Sequence, residues 1–188
     1  LAGIPTVMET HAHEGFQYRW FKWATKATRL RSFRLLVTIS TVLRDYYIAI
    51  GVPPEKIVVL PTGVNADAFV RPGVLPASPF KQRHGAKPNA VYVGHLYDWK
   101  GIPTILDAAS LNTNILYHLV GGFDEDVRRV KRVVSDRELK NVVIHGRKKQ
   151  SEIPPYLWHA DVLLLPPSAS HPSSRWTSPV KLGEYLAS

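Results

Sequence analysis

The 188-residue chain carries 24 Lys and Arg against 15 Asp and Glu, a formal charge of +9, and 45% of its residues are hydrophobic. That apolar share can bury one sizeable core or two small ones, and with 10% aromatic residues it excludes a disordered chain. The lack of cysteine excludes disulfides and thiolate metal sites, and no apolar run reaches the roughly 18–20 residues that span a bilayer. The charge suits an anionic partner, whether nucleic acid, acidic lipid or a nucleotide diphosphate. No basic leader with an apolar core opens the chain, which starts at Leu1 rather than Met, so further sequence is expected upstream. The absence of cysteine also fits a cytoplasmic location.

Short apolar runs alternate with amphipathic stretches. Ile4–Met8 predicts a short strand. Phe16–Arg34 mixes Trp, Phe, Lys and Arg and predicts a helix, either packed against a core or lying on anionic lipid. Leu35–Ile39 is a β-rich run, and Ser40 caps a helix through Ile50 that is closed by Gly51. Lys56–Leu60 predicts a strand ending at Pro61. Asn65–Pro88 is rich in Pro, Gly and Ala and reads as a connection with one irregular helical turn. Strands at Ala90–Val93, Ile115–Val120, Val142–His145 and Asp161–Leu165 then alternate with helices at Gly101–Ser110, Asp124–Asp136, Ser151–His159 and Ser178–Ala187. This alternation implies an α/β fold with a parallel sheet covered on both faces. The apolar runs Val58–Leu60 and Val162–Leu165 fit strands buried on both sides.

In such sheets ligands bind beyond the carboxyl ends of the strands. Gly94-His95-Leu96-Tyr97-Asp98-Trp99-Lys100-Gly101 follows Ala90–Val93. Gly94 permits close backbone approach, and Lys100 stands before a helix start that suits phosphate; a plain βα turn with a solvated lysine fits the same residues. Gly121-Gly122 after Val120 is either a second close approach or a tight turn. Gly146-Arg147-Lys148-Lys149 is either a base-contacting loop or a solvated charge run. A long polar loop leads to Ser178 and Pro179, good N-cap and N1 residues, with Glu184 two turns into the helix that follows. A carboxylate there suits a ribose diol; an isolated surface glutamate would look the same. Near the first strand, Glu9, His11, His13 and Glu14 raise the question of a metal. His11 and His13 at i, i+2 on a strand point to opposite faces, so a single cleft-facing His is favoured over a chelate.

Taken together, these segments resemble glycosyltransferase family 4. Val59-Leu60-Pro61-Thr62-Gly63-Val64-Asn65 with Phe69 is similar to its Pro-Asn-Gly-Val-Asp…Phe signature. Gly94-His95-Leu96 through Lys100-Gly101 resembles its Gly-Arg-Leu-x-x-x-Lys-Gly segment, and Val120-Gly121-Gly122 its Gly-Gly turn. Ala160-Asp161-Val162 through Pro166 and Ser168 resembles its Ala-Asp-(apolar)-Pro-Ser strand. Ser178-Pro179 through Lys181-Leu182 and Glu184-Tyr185-Leu186-Ala187 resembles its donor-binding helix.

The resemblance implies the α/β GT-B fold of Rossmann-like lobes, cut short. Residues 1–66 would end the acceptor lobe, 67–87 connect, and 88–188 form a donor lobe incomplete at its C-terminus. It implies a retaining glycosyltransferase without metal or other cofactor, using a UDP-, GDP- or ADP-sugar. The donor site would comprise Gly94, His95, Lys100, Gly122, Ser178, Pro179, Lys181 and Glu184, with Lys100 on the diphosphate and Glu184 on the ribose. His11, from the other lobe, would be the catalytic residue beside the sugar or phosphate. A glycan or lipid-linked acceptor, peripheral association with anionic membrane and no specific nucleic acid are the partners implied. The fragment alone is expected to bind nucleotide without turnover.

The sequence departs from the family in places. His95 stands for an arginine and carries less charge at neutral pH. Thr62 and Asn65 replace Asn and Asp, and Trp176 falls near the first glutamate of a Glu-x7-Glu pattern. The competing class is a non-catalytic Rossmann-like module binding nucleotide or RNA, which five Trp and basic charge would fit. The cations, however, are scattered over βα loops, and no RNA-binding signature occurs. An epimerase or dehydrogenase would need a Gly-x-Gly-x-x-Gly turn after the first strand, which is absent.

Overall fold

The computed structural model describes residues 3–11, 25–80, 87–166 and 171–188. They form two compact units: residues 1–63 with 172–179, and residues 64–171 with 180–188.

The first unit holds a parallel sheet in the order β1 (Thr6–Thr10), β2 (Phe33–Thr38), β3 (Ile57–Val59). Helix α1 (Thr41–Ala49) crosses from β2 to β3. It starts as expected: the Ser40 hydroxyl accepts the Leu43 N–H at 3.3 Å, satisfying one of the free amides of the first turn. It ends at Gly51, whose φ of +99° a side chain would resist. Leu43 and Tyr47, one turn apart, bury against Phe33, Leu36, Ile39 and Val52. Trp176, only 4% exposed, completes this core from the returning segment Pro172–Pro179. That segment is tied down again where the Thr62 N–H donates to the Ser178 hydroxyl at 3.0 Å.

The second unit holds four parallel strands in the order β6 (Val142–Gly146), β5 (Leu116–Val120), β4 (Asn89–Val93), β7 (Val162–Leu163). Helices α2 (Ile102–Leu111), α3 (Asp124–Asp136), α4 (Pro154–Trp158) and α5 (Val180–Leu186) complete it. All of β5 and four of the five residues of β4 are buried. The runs expected to be buried on both sides, Val58–Leu60 and Val162–Leu165, are instead open in part, with Val58, Leu60 and Val162 exposed, because β3 and β7 stand at the ends of their sheets. One core cluster gathers Tyr92, Leu119 and Leu96 with Ile102 and Ile105 of α2 and Val130 of α3. Another gathers Val91, Val93 and Val120 with Phe69, Ile153 and Leu157. In α3, Val130 is fully buried with Val127, Val133 and Val134 partly so, the spacing of one helix face. Asp124, Glu125 and Asp126 occupy its first turn, where acids complement the helix dipole.

A polar chain crosses this sheet. Asp161 accepts from the Asn89 backbone N–H at 2.7 Å and from its side-chain amide at 3.3 Å. The Asn89 side-chain amide oxygen, Oδ1, in turn lies 3.1 Å from His118 Nε2, and His118 Nδ1 lies 3.0 Å from His145 Nε2. With Asn89 accepting, His118 carries its proton on Nε2, and its Nδ1 accepts from His145. The Phe80 ring stacks on His118 at 4.0 Å. Burial, and then the charge of Lys148, push the His145 imidazole down to about 4.

Several boundaries differ from those expected. The helix predicted over Phe16–Arg34 lies outside the described residues up to position 24. Only residues 25–27 are helical thereafter, and β2 already begins at Phe33, because Phe33 and Leu36 are needed in the core. The strand expected over Asp161–Leu165 shortens to Val162–Leu163, paired only with Ala90 and Val91. The helix expected from Ser151 is a 3-10 turn, Gln150–Glu152, followed by α4 from Pro154, whose ring suits a first helical turn. The helix expected to start at Ser178 starts at Val180, since Ser178 is engaged with Thr62.

Candidate functional site

The turns after β4, β5 and β6 are stitched to one another. The Gly94 N–H donates to the Val120 carbonyl and the Gly121 N–H to the Gly146 carbonyl, each at 2.8 Å. Gly94 has φ of +152°, and a Cβ there would collide with the end of the Lys181 side chain and approach the Tyr92 hydroxyl. The Tyr92 hydroxyl donates to the His95 carbonyl at 2.8 Å and so fixes the turn from below. Helix α5 is pinned to the same rim by Tyr185. Its hydroxyl accepts the Val93 N–H at 3.1 Å and donates to the Leu164 carbonyl at 3.3 Å. Burial raises this phenol to about 12, so it stays a neutral donor at any ordinary pH.

These elements enclose a cleft of about 220 Å³ at the carboxyl ends of the strands. Gly94 and His95 come from the end of β4, Gly121, Gly122 and Phe123 from β5, Arg147, Lys148 and Gln150 from β6, and Lys181 and Glu184 from α5. Glu184 is held in place, accepting from the Gln150 side-chain amide at 3.1 Å. Burial lowers the Lys181 ammonium, and the nearby Glu184 carboxylate partly restores it. Lys100 sits at the end of a 3-10 turn, Asp98–Lys100, with its ammonium 4.1 Å from the centre of the Trp99 ring. Burial lowers it, and so does the charge of Lys181, which places the two ammonium groups within each other's field. Lys181, Arg147 and Lys148 line the cleft together with the tethered Glu184 carboxylate, a mixed lining with the polarity to take an anion and a hydroxyl-bearing ring together.

Of the residues expected at a donor site, Gly94, His95, Gly122, Lys181 and Glu184 line this one cleft. Lys100 stands beside it. Ser178 and Pro179 belong to the first unit, as does His11. His11 Nε2 lies 2.8 Å from the Glu9 carboxylate in an exposed pair just past β1; His13 lies outside the described residues. Among the described residues no group of three or more His, Asp and Glu could hold a metal ion. Phe123 and Gln150 were not anticipated. Phe123 directly follows the glycine pair, which is a usable signal, but nothing in the local sequence marks Gln150, whose place depends on a contact 34 residues away in sequence.

Two parallel sheets flanked by helices, with a cleft where the strands of the second sheet end, define an α/β protein of the GT-B type. Residues 76–172, just over half of the chain, match the family described as glycosyl transferases group 1, and residues 1–68 match glycosyltransferase family 4. The chain belongs to the glycosyl transferases group 1 family. No curated protein matches it. Among solved structures it is similar in fold to Anabaena Alr3699/HepE in complex with UDP, at 21% identity and a TM-score of 0.68 over 89% of this chain and 48% of that one. Sucrose-phosphate synthase from Thermosynechococcus elongatus is similar at 21% identity and a TM-score of 0.62, over 86% of this chain and 44% of that one. A glycosyltransferase from Rickettsia africae ESF-5 follows at 19% and 0.60, over 80% and 42%. The chain therefore spans a little under half the length of these structures. No helix among the described residues is long and apolar enough to cross a membrane.

Proposed function

We propose that the cleft binds a nucleotide-diphosphate sugar and serves a glycosyl transfer that retains anomeric configuration. The observation carrying this reading is the meeting of Lys181, His95, Gly94, Gly122 and Glu184 around one cleft of about 220 Å³, with Lys100 beside it. Nucleotide diphosphate is a good leaving group once its charge is neutralised. Lys181, Lys100 and Arg147 supply that neutralisation from fixed positions, so little reorganisation is needed as the glycosidic bond lengthens. Glu184, oriented by Gln150, accepts from the ribose hydroxyls. Gly94 makes room for the end of the Lys181 side chain, which brings that ammonium to the rim of the cleft, and Gly122 makes room for Leu96 beneath it.

The scheme requires no metal, and it assigns His11 to the transferred sugar. A glycan or lipid-linked acceptor, a cytoplasmic setting and contact with an anionic membrane belong to the same proposal. UDP-sugars are the first donors to test, since HepE, of like fold, was crystallised with UDP-glucose. The non-catalytic RNA-binding alternative is not favoured, because the cations surround a small cleft rather than tracking a strand.

Isothermal titration with UDP-, GDP- and ADP-glucose tests the donor reading. One of them should bind saturably. Lys181→Ala and Glu184→Ala should each weaken it roughly tenfold or more, the loss expected for a charge-assisted hydrogen bond. Unchanged affinity in both variants would place the nucleotide elsewhere.

A further inference from the structure

A row of rings leaves the cleft and runs along the second unit. Phe123 and His95, both lining the cleft, lie 5.0 Å apart. His95 stacks on Tyr97 at 5.1 Å and an interplanar angle of 9°. Tyr97 stacks on Trp99 at 5.7 Å, and Trp99 on His171 at 4.6 Å. The row is bracketed by cations, with the Arg147 guanidinium 5.5 Å from the Phe123 ring centre and the Lys100 ammonium 4.1 Å from that of Trp99. Its sequence basis is the i, i+2, i+4 spacing of His95, Tyr97 and Trp99 in the loop after β4, with buried Leu96 pointing the other way.

The chemistry of the row selects its ligand. His95, Tyr97 and Trp99 each already have two ring neighbours, so a flat nucleobase finds no vacant platform on which to stack. What remains open is the row of ring edges. Among the described residues neither the Tyr97 hydroxyl nor the Trp99 indole N–H has a hydrogen-bond partner, although both rings are partly exposed. Tyr and Trp held rigid by stacking lose little entropy when they bind, and their polar tips are then satisfied by the ligand. A ligand rich in hydroxyl groups, with apolar C–H faces between them, complements such an edge; a carbohydrate has this pattern.

We propose that the ridge Tyr97–Trp99, continuous with the cleft through His95 and Phe123, binds a glycan chain. Glycan binding rests on the ridge alone; naming that glycan the acceptor rests on the transferase reading, since an acceptor has to be held next to the donor.

The 188-residue chain is applied to an array of neutral and acidic oligosaccharides, and the glycan captured best is titrated in solution. Tyr97→Phe keeps the ring stack and removes only the hydroxyl, so the fold is preserved. It should weaken the glycan about three- to tenfold, as one lost hydrogen bond would, and Tyr97→Phe combined with Trp99→Phe should weaken it further. UDP binding is titrated separately and should move less than twofold in Tyr97→Phe. No glycan captured, or a captured glycan indifferent to both variants, overturns the ridge. Binding of oligo(dT) at the ridge in place of a glycan overturns it as well. Glycan binding without any nucleotide binding leaves the ridge standing and sinks the donor site alone.

Discussion

The two sheets use the same parallel geometry but bury it differently. In the second unit the neighbouring strands β4 and β5 are covered on both faces, and every turn that leaves them is bonded to the next turn. Among the described residues of the first unit, β1 is an exposed end strand, with Val7 62% and Met8 36% accessible, and only β2 of its strands contributes several residues to a core. A sheet packed from both sides fixes the direction in which its strands end, and the backbone glycines and side chains just beyond then keep their places. The cleft grows at such ends. The first unit relies on a borrowed residue, Trp176, to close its core.

That difference can be broken at its weakest point first. Trp176→Ala should destabilise the first unit by about 3–5 kcal/mol, the usual cost of emptying a large buried aromatic site. Hydrogen exchange should show lost protection at Leu36, Leu43 and Tyr47, with β4 and β5 still protected. Equal losses in both sheets would mean that the two cores are not separable.

A smaller effect is expected in the second unit, at Gly101. It has φ of +85°, and a Cβ there would run into the Pro166 backbone carbonyl, which has no flexible end to move aside. Gly101→Ala should cost about 2–4 kcal/mol through backbone strain and overpacking together, read from the midpoint of urea unfolding. Here protection should fall around α2 and the start of the loop after β7, and the core that holds Trp176 should be untouched. A silent substitution would show that this junction is looser than the glycine contact indicates.

The contrast also explains what could be read before the structure. Asp124–Asp136 was legible to the residue because four valines at helical spacing and three leading acids agree with each other. The cleft glycines Gly94 and Gly122 were legible because each follows closely on a strand, whereas Lys181, inside α5, was reached only through the resemblance of its helix to a donor-binding helix. The start of α5 was not: Ser178 is a good cap locally, but its hydroxyl is taken by Thr62, 116 residues away in sequence. The tie between Gln150 and Glu184 and the placing of Trp176 in the first core were hidden for the same reason. They are long-range contacts with no local periodicity to announce them.

The smallest of these effects, and the most selective, involves acid. His145 faces His118, Phe80, Tyr156 and Lys148. In the unfolded chain its imidazole titrates near 6.5, whereas in the folded chain it is held at about 4. As pH drops below 6.5 the unfolded state takes up the proton first, so the balance moves toward unfolding, and the loss is complete once the folded ring also protonates near 4. The stability carried by the neutral ring is thus full above pH 6.5 and lost between 6.5 and 4. Because water screens a half-buried ring, the expected loss is about 1–2 kcal/mol rather than a full conversion of the shift. Urea unfolding of the wild type and His145→Gln across this window provides the measurement. The variant has no proton to gain at that position and should show a flatter pH dependence. The first unit, whose one described histidine, His11, is exposed, should keep its hydrogen-exchange protection over the same range. Parallel pH curves for the two proteins would remove His145 as the acid-sensitive group, and acid loss concentrated in the first unit would reverse the comparison between the two sheets.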